Sequence, residues 1–582
     1  MLLLDAFTRL VEEHPDRPLF TFVNVHGRDQ ASLTVRELAA QAGSIAGYLR
    51  RRAGLAPGDR AVLVYPPGLG FVAALLGCLH AGVVPVPVYP PNPLKLQHDL
   101  TGFRGLVDDC DARAILTSTE FNRARQVGGL KDMLFRTGVQ WPALPWHATD
   151  RIGIWATPPR HPAAPDDVAV LQYTSGSTST PKGVQITHAN IMGEITDNAR
   201  SIGVGPDTVG VGWVPQYHDL GLICCIMSVL AGSGRYYMLS PLAFLQRPAV
   251  WCEVLHRVRA THTCSPNFGL GLVTRKTTPE QRAGWDLRAL EVLLCAAEPL
   301  RRDTIEAFHA AFACTGLRPG ALVPAYGLAE HTVSVAVAAR GWTCFDRAAL
   351  AAGEAVPRPD DGPEGLALYS HGPITKADSR VRIVDPGTRR PLADGHVGEI
   401  WVDSPTKAAG YHGRPDESRE VFAARVEGDD DPRGYLRTGD LGFFHAGELF
   451  IAGRRKDVVI VRGRNYYPHD IEATVQAAHP QVRPGSVVAC GLGDEHGEDG
   501  IGLVIDLRER GTSPAEARAV AGSARAAVER DHQLACLAIA VGVPGTVLKT
   551  TSGKLRRRAT RDLLLAAGSS FLHREHHDPN PA

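Results

Sequence analysis

The chain has 582 residues, 44% of them hydrophobic, which is more than one ordinary domain holds and enough to bury sizeable cores. Lys+Arg and Asp+Glu balance at 62 each, and this zero net charge argues against a protein built mainly to grip nucleic acid or an anionic membrane. The eleven cysteines are odd in number, with Cys224 and Cys225 adjacent and no CxxC pair. They form neither a disulfide framework nor a zinc signature, and point to a reducing, cytoplasmic setting.

The opening MLLLDAFTRLVEEHPD carries Asp5, Glu12 and Glu13, which makes it an amphipathic helix rather than a signal peptide. Apolar β-type runs then alternate with helical patterns. RAVLVYP (60–66), VVPVPVYPP (83–91), RAILTS (113–118) and VAVLQYTSGS (168–177) each end in turn chemistry. SLTVRELAAQAGSIAGYLRRR (32–52) and GFVAALLGCLHAG (70–82) lie between them. The alternation predicts an α/β architecture with mainly parallel sheets through residue 340. Pro, Gly and Asp cluster over 340–367 and predict an inserted surface segment. A β-rich subdomain is expected from 379–404, and a small α+β unit over 457–582, ending in the basic LKTTSGKLRRR (548–558). No run of about 18 apolar residues occurs, so no transmembrane helix and no stable membrane insertion are expected. His573, His576 and His577 read as a frayed polar terminus rather than a metal site.

The stretch TSGSTSTPKG (174–183) directly follows a buried-type strand. Its hydroxyls, Gly176 and Lys182 suit an anion that needs close backbone approach, several donors and a cation. It is not a Walker A loop. Pro181 precedes the lysine where an N–H is needed, and Gly183 follows where a magnesium-binding hydroxyl is needed.

The stretch instead resembles the phosphate loop of adenylate-forming enzymes. Four further motifs of that superfamily follow in order: AYGLAEHT (325–332), YLRTGDLG (435–442), GRRKDVVIVRGRNYYPHDIE (453–472) and TSGKLRR (551–557). Within the superfamily the chain is most similar to the fatty acyl-AMP ligases. WVPQYHDLGLI (213–223), SPLAFLQRPAVW (240–251), RGRNYYPHDIE and Ser179 in the phosphate loop carry that resemblance.

The resemblance implies a reaction, a domain plan and a set of site residues. The reaction is ATP-dependent activation of a fatty acid to acyl-adenylate with loss of pyrophosphate. The acyl group then passes to the phosphopantetheine thiol of an acyl carrier protein, or of a carrier domain in polyketide or nonribosomal peptide synthesis. No carrier serine motif follows the basic loop, so a carrier acting in trans is expected, with Arg556–Arg558 facing an acidic carrier helix. The enzymatic rival is an acyl-CoA synthetase. An adenylation core over 1–453, a hinge at 454–456 centred on Lys456, and a mobile lid over 457–582 are implied. Thr174, Ser175, Gly176, Ser177, Thr178 and Lys182 are expected on the phosphates, and Glu330 on Mg²⁺. Ala297, Glu298, Pro299, Tyr326 and Gly327 are expected around adenine, and Asp440 and Arg454 on the ribose. His218, with Asp219 beside it, is placed at the substrate carboxylate, and Lys554 between that carboxylate and the α-phosphate. Ala296 stands where the family usually has glycine. Residues 221–239 and 265–273 suit either an acyl tunnel or core. Segment 340–367 falls where fatty acyl-AMP ligases carry an insertion, expected to act as a wedge that limits rotation and excludes free coenzyme A.

Overall fold

The computed structural model describes residues 1–91, 96–135, 141–174, 181–338, 341–359, 362, 364–429, 433–461, 464–493, 499–550, 553–566 and 571–576. The α/β expectation holds. Arg60–Val64 lies in a four-stranded parallel sheet between Val84–Pro87 and Ala112–Thr117, with Trp146–Ala148 at its edge. These strands read as unbroken apolar runs because both faces are covered, as parallel sheets require. Helices Val35–Arg51 and Leu69–Ala81 pack closely at Gly77, where a Cβ would stand 2.7 Å from Ile45 Cγ2. The opening residues form the helix Leu3–Glu13, which buries Leu3, Leu4, Phe7 and Leu10 on one face.

A second sheet has eight strands. From Leu322–Gly327 it runs parallel through Val292–Cys295, His262–Ser265, Val209–Gly212 and Arg235–Leu239 to Pro18–Val23. Antiparallel strands Ser334–Val337 and Asp29–Thr34 close its edges. This sheet positions the site, because ligands of open parallel sheets gather beyond the carboxyl ends of the strands.

The expected β-rich subdomain is a four-stranded antiparallel sheet, Arg380–Val384, Gly398–Asp403, Leu436–His445 and Glu448–Arg454. Segment 340–367, expected as an inserted surface segment, contributes short strands and a helix, Arg347–Ala351. Trp342–Asp346, Pro357–Arg358 and Gly365–Tyr369 pair as a three-stranded antiparallel sheet. Phe345 is fully buried, its ring 4.9 Å from Phe443 and 5.2 Å from Phe450. Asp346, Pro357 and Gly365 lie at the ends of these short strands.

Residues beyond 457 build the expected α+β unit. Val482–Gly493, Asp499–Leu507, Cys536–Gly542 and His573–His576 form one sheet, against which helices Pro468–Ala478 and Pro514–His532 bury Ile471, Val475, Val520 and Val528. The tail reading is corrected in part: residues 573–576 are an edge strand, pinned by Arg525 to Glu575 at 2.7 Å, while His577 lies outside the described residues.

Candidate active site

Successive strands of the eight-stranded sheet each deliver one motif from their carboxyl ends. Val209–Gly212 leads to His218 and Asp219, His262–Ser265 to Phe268, Val292–Cys295 to Ala297, Glu298 and Pro299, and Leu322–Gly327 to Glu330. A parallel sheet therefore gathers on one rim residues that lie more than a hundred positions apart in the chain.

His218 Nδ1 is 2.5 Å from Asp219 Oδ1, and Asp219 accepts from Leu220 N–H at 2.6 Å where a π-helical run, Leu220–Met227, begins. Such runs are rare and cluster at functional sites. Burial raises the Asp219 pKa, but His218 and the Lys554 ammonium outweigh it, so the carboxyl titrates below its ordinary value. Glu298 accepts from the Phe268 N–H at the start of helix Asn267–Lys276. Burial holds its carboxyl above the ordinary range against the pull of Phe268 and Lys554. Ala297 adopts φ +75°, so the strained position falls one residue after Ala296, which is a buried residue at the end of its strand. Pro299 is exposed.

Tyr326 is buried, and its hydroxyl donates to Asp440 Oδ2 at 2.9 Å. Arg454 Nε lies 3.1 Å from Asp440 Oδ1, and the two residues face each other across the hairpin Leu436–His445/Glu448–Arg454. Each carboxylate oxygen keeps a lone pair for a further donor.

Lys554 arrives from the α+β unit on a tight loop. Thr550 N–H donates to Lys554 O at 2.8 Å, Gly553 N–H to Thr550 O at 2.9 Å, and Lys554 N–H to Thr550 Oγ1 at 3.0 Å. Gly553 sits at φ +89°, and a Cβ there would lie 3.9 Å from Phe268, so the loop tip rests against the body. Burial pulls the Lys554 pKa down, while the charges of Asp219, Asp440 and Glu298 act to raise it and that of Arg454 lowers it further.

The other wall starts at the hairpin Val168–Thr174/Lys182–Thr187, in which Thr174 pairs with Lys182. Ser175, Gly176, Ser177 and Thr178 lie outside the described residues. Lys182 is ion-paired with Glu417 and stands 5.0 Å over the Tyr411 ring, while the Tyr411 hydroxyl donates to Glu330 Oε1 at 3.0 Å. Tyr411 gets there because Gly410–Tyr411 adds an edge to the Lys182 strand. Lys456 occupies a turn, with Asp457 N–H donating to Arg454 O at 3.0 Å. Burial lowers its pKa, as do the charges of Arg454 and Lys182, while Asp457 and Glu330 act to raise it.

Sequence reading missed Tyr411 and Glu417. The only signal was the glycine-flanked GYHG (410–413), whose Gly410 takes φ +142°. Among the described residues no group of three His, Cys, Asp or Glu side chains is placed to hold a metal. A single carboxylate oriented by Tyr411 does fit Mg²⁺, which is commonly bound through one or two carboxylates plus substrate phosphates.

Carboxylates on the rim of a parallel sheet, with two lysines arriving from separate elements, make a charged cleft of the kind an enzyme uses. The AMP-binding enzyme family model matches residues 7–412, and the chain belongs to that family. It is 37% identical over 559 residues to the medium-chain-fatty-acid–acyl-carrier-protein ligase JamA of Moorena producens (strain JHB), covering 94% of this chain and 92% of that one. It is 36% identical over 569 residues to the long-chain-fatty-acid–AMP ligase FadD26 of Mycobacterium marinum, covering 94% of each. Among solved structures, the fatty acyl-adenylate ligase of L. pneumophila in complex with acyl adenylate and pyrophosphate matches with a TM-score of 0.73 and 31% identity. That match covers 99% of this chain and 98% of the other.

Proposed function

We propose that the protein is a fatty acyl-AMP ligase. It joins a fatty acid carboxylate to the α-phosphate of ATP, releasing pyrophosphate, and then passes the acyl group to the phosphopantetheine thiol of a carrier protein in trans, releasing AMP. The observation that carries this reading is that the Lys554 loop meets the body at Phe268, whose N–H donates to Glu298, on a rim shared with the Tyr326–Asp440–Arg454 cluster and with Glu330, itself joined to Lys182 through Tyr411.

The chemical task is to bring two anions together, so catalysis here is positioning and charge neutralisation. Asp440 and Arg454 hold the ribose hydroxyls. Ala297, Glu298, Pro299, Tyr326 and Gly327 frame the adenine. Thr174, Ser175, Gly176, Ser177, Thr178 and Lys182 take the β- and γ-phosphates, for which Lys182 exchanges Glu417 for phosphate oxygen. Glu330 holds Mg²⁺, which when bound neutralises charge on the departing pyrophosphate. His218, held by Asp219, orients the fatty acid carboxylate, and Lys554 donates to that carboxylate and the α-phosphate as the new bond forms.

The acceptor reading is supported by segment 340–367. Arg347, on its short helix Arg347–Ala351, is ion-paired with Asp470 on Pro468–Ala478, and so ties the 342–369 sheet to the 457–582 unit. A tie there restrains rotation of that unit and favours a carrier-borne thiol over free coenzyme A. Among the described residues no helix is long and apolar enough to cross a membrane. Cys224 and Cys225, adjacent in the chain, are both free thiols, which fits a reducing setting.

Pyrophosphate exchange into ATP, run with fatty acids of graded length and with or without coenzyme A or a phosphopantetheinylated carrier, tests the reading. Fatty-acid-dependent exchange with transfer to the carrier is expected. Absence of exchange with every acid overturns the adenylation step, and rapid acyl-CoA turnover replaces the carrier reading with that of an acyl-CoA synthetase.

A further inference from the structure

The loop bearing Glu330 reverses in a space too tight for an ordinary turn. A Cβ on Gly327 would lie 1.8 Å from Val333 O. Thr332 takes φ +66°, ψ −62°, and Val333 N–H donates to His331 O at 2.8 Å. This is the positive-φ γ-turn, rare and strained, and a β-branched residue at its centre adds to the strain. Such a conformation persists only where its surroundings over-determine it.

Those surroundings are buried and polar. Glu194, with 0% side-chain exposure on helix His188–Ile202, accepts from Ser334 N–H at 3.2 Å and Ser334 Oγ at 2.5 Å. Lys376 Nζ, 4% exposed, donates to Glu194 Oε2 at 2.6 Å and Thr406 Oγ1 at 3.4 Å, and Asp197 Oδ2 stands 3.6 Å away. Thr406 O accepts from Thr332 Oγ1 at 2.7 Å. His331 Nδ1–H donates to Ser334 O at 2.8 Å while Nε2 accepts from Ser404 Oγ at 2.6 Å. That pairing needs a neutral ring, and burial, reinforced by Lys376, pushes the His331 pKa down to about 3. Ala408 N–H closes the clamp on Glu330 O at 3.0 Å. Glu194 and Lys376 lie 182 positions apart in the chain, and they act on the γ-turn through its neighbours Ser334 and Thr406.

A buried ion pair is a poor stabiliser, since apolar residues of the same volume often do as well or better. What this pair supplies is direction: it leaves Ser334 and Thr406, and so both sides of the turn, one arrangement. We propose that Glu194 and Lys376 are positioning residues that hold the γ-turn at Thr332 and thereby aim the Glu330 carboxylate into the cleft. The proposal rests on the reading of Glu330 as nucleotide-facing.

Lys376→Met and the double variant Glu194→Gln/Lys376→Met test it, the double serving where a lone buried carboxylate prevents folding. In the metal-free, nucleotide-free protein, hydrogen exchange over 322–338 is expected to rise about tenfold or more while that of Val482–Gly493 is unchanged. The KM for ATP is expected to rise about 10–100-fold, as for other outer-sphere partners, with the fatty acid KM unmoved. Wild-type exchange over 322–338 in a folded variant, or both KM values rising together, overturns the proposal. If Glu330→Gln leaves the ATP and Mg²⁺ dependence at wild type although 322–338 has loosened in the Lys376 variants, the nucleotide-facing reading of Glu330 falls, and this proposal with it.

Discussion

The two lysines of the cleft are held in opposite ways. Lys182 ends a hairpin of the body and already has a carboxylate partner in Glu417 and an aromatic floor in Tyr411. Lys554 comes from the α+β unit, and the charges that act on its ammonium, Asp219, Glu298, Asp440 and Arg454, all lie outside that unit. A cation balanced within its own wall is present whatever the other wall does. A cation balanced only across the cleft contributes when the two walls meet.

Lys456 lies in the turn that follows strand Glu448–Arg454 and is the proposed pivot between the two units, so the sharpest way to break the comparison is Lys456→Pro. Acyl-AMP formation is expected to persist while transfer to the carrier stops. Equal loss of both, measured as pyrophosphate exchange and as acyl-carrier formation, removes the pivot. Lys554→Ala is expected to slow acyl-AMP formation by about 10²–10³, the usual loss for one preorganised charge contact. A wild-type rate of acyl-AMP formation sinks its assignment. Lys182→Met should raise the KM for ATP by about tenfold, since a charge-assisted hydrogen bond contributes roughly 1.5–3 kcal/mol. Glu417→Gln should move the same KM the other way by a few-fold, because Lys182 then has no carboxylate to leave; an unchanged or higher KM means that the pair does not compete with phosphate. The smallest expected effect is a pH shift. Burial lowers the Lys554 pKa, so the ammonium is present below that value and lost above it. The alkaline limb of acyl-AMP formation should therefore begin below an ordinary lysine's ~10.4, and Lys554→Arg should push it higher.

Much of the site was legible because its residues sit in contiguous strings: Lys182 in TPKG, Glu330 in YGLAE, Asp440 in RTGD and Lys554 in TSGK. The rest was not, because its partners meet only through the fold. Glu417 is 235 positions from Lys182 and carries no motif of its own. Glu194 and Lys376 read as ordinary helix and loop charges until the network beneath Thr332 is seen. The short strands of segment 340–367 carry little local pattern, and the burial of Phe345 depends on Phe443 and Phe450, about a hundred positions on.

By itself the sequence determined the α/β class, the order of the motifs, and through them the AMP-binding family. Strand periodicity and loop chemistry are local properties that survive in a one-dimensional string. Only the tertiary structure decided which charges neutralise each other, where the backbone is strained at Ala297 and Thr332, and that the Lys554 loop meets the body at Phe268. Those are properties of distance and burial, and both are set by which elements pack together.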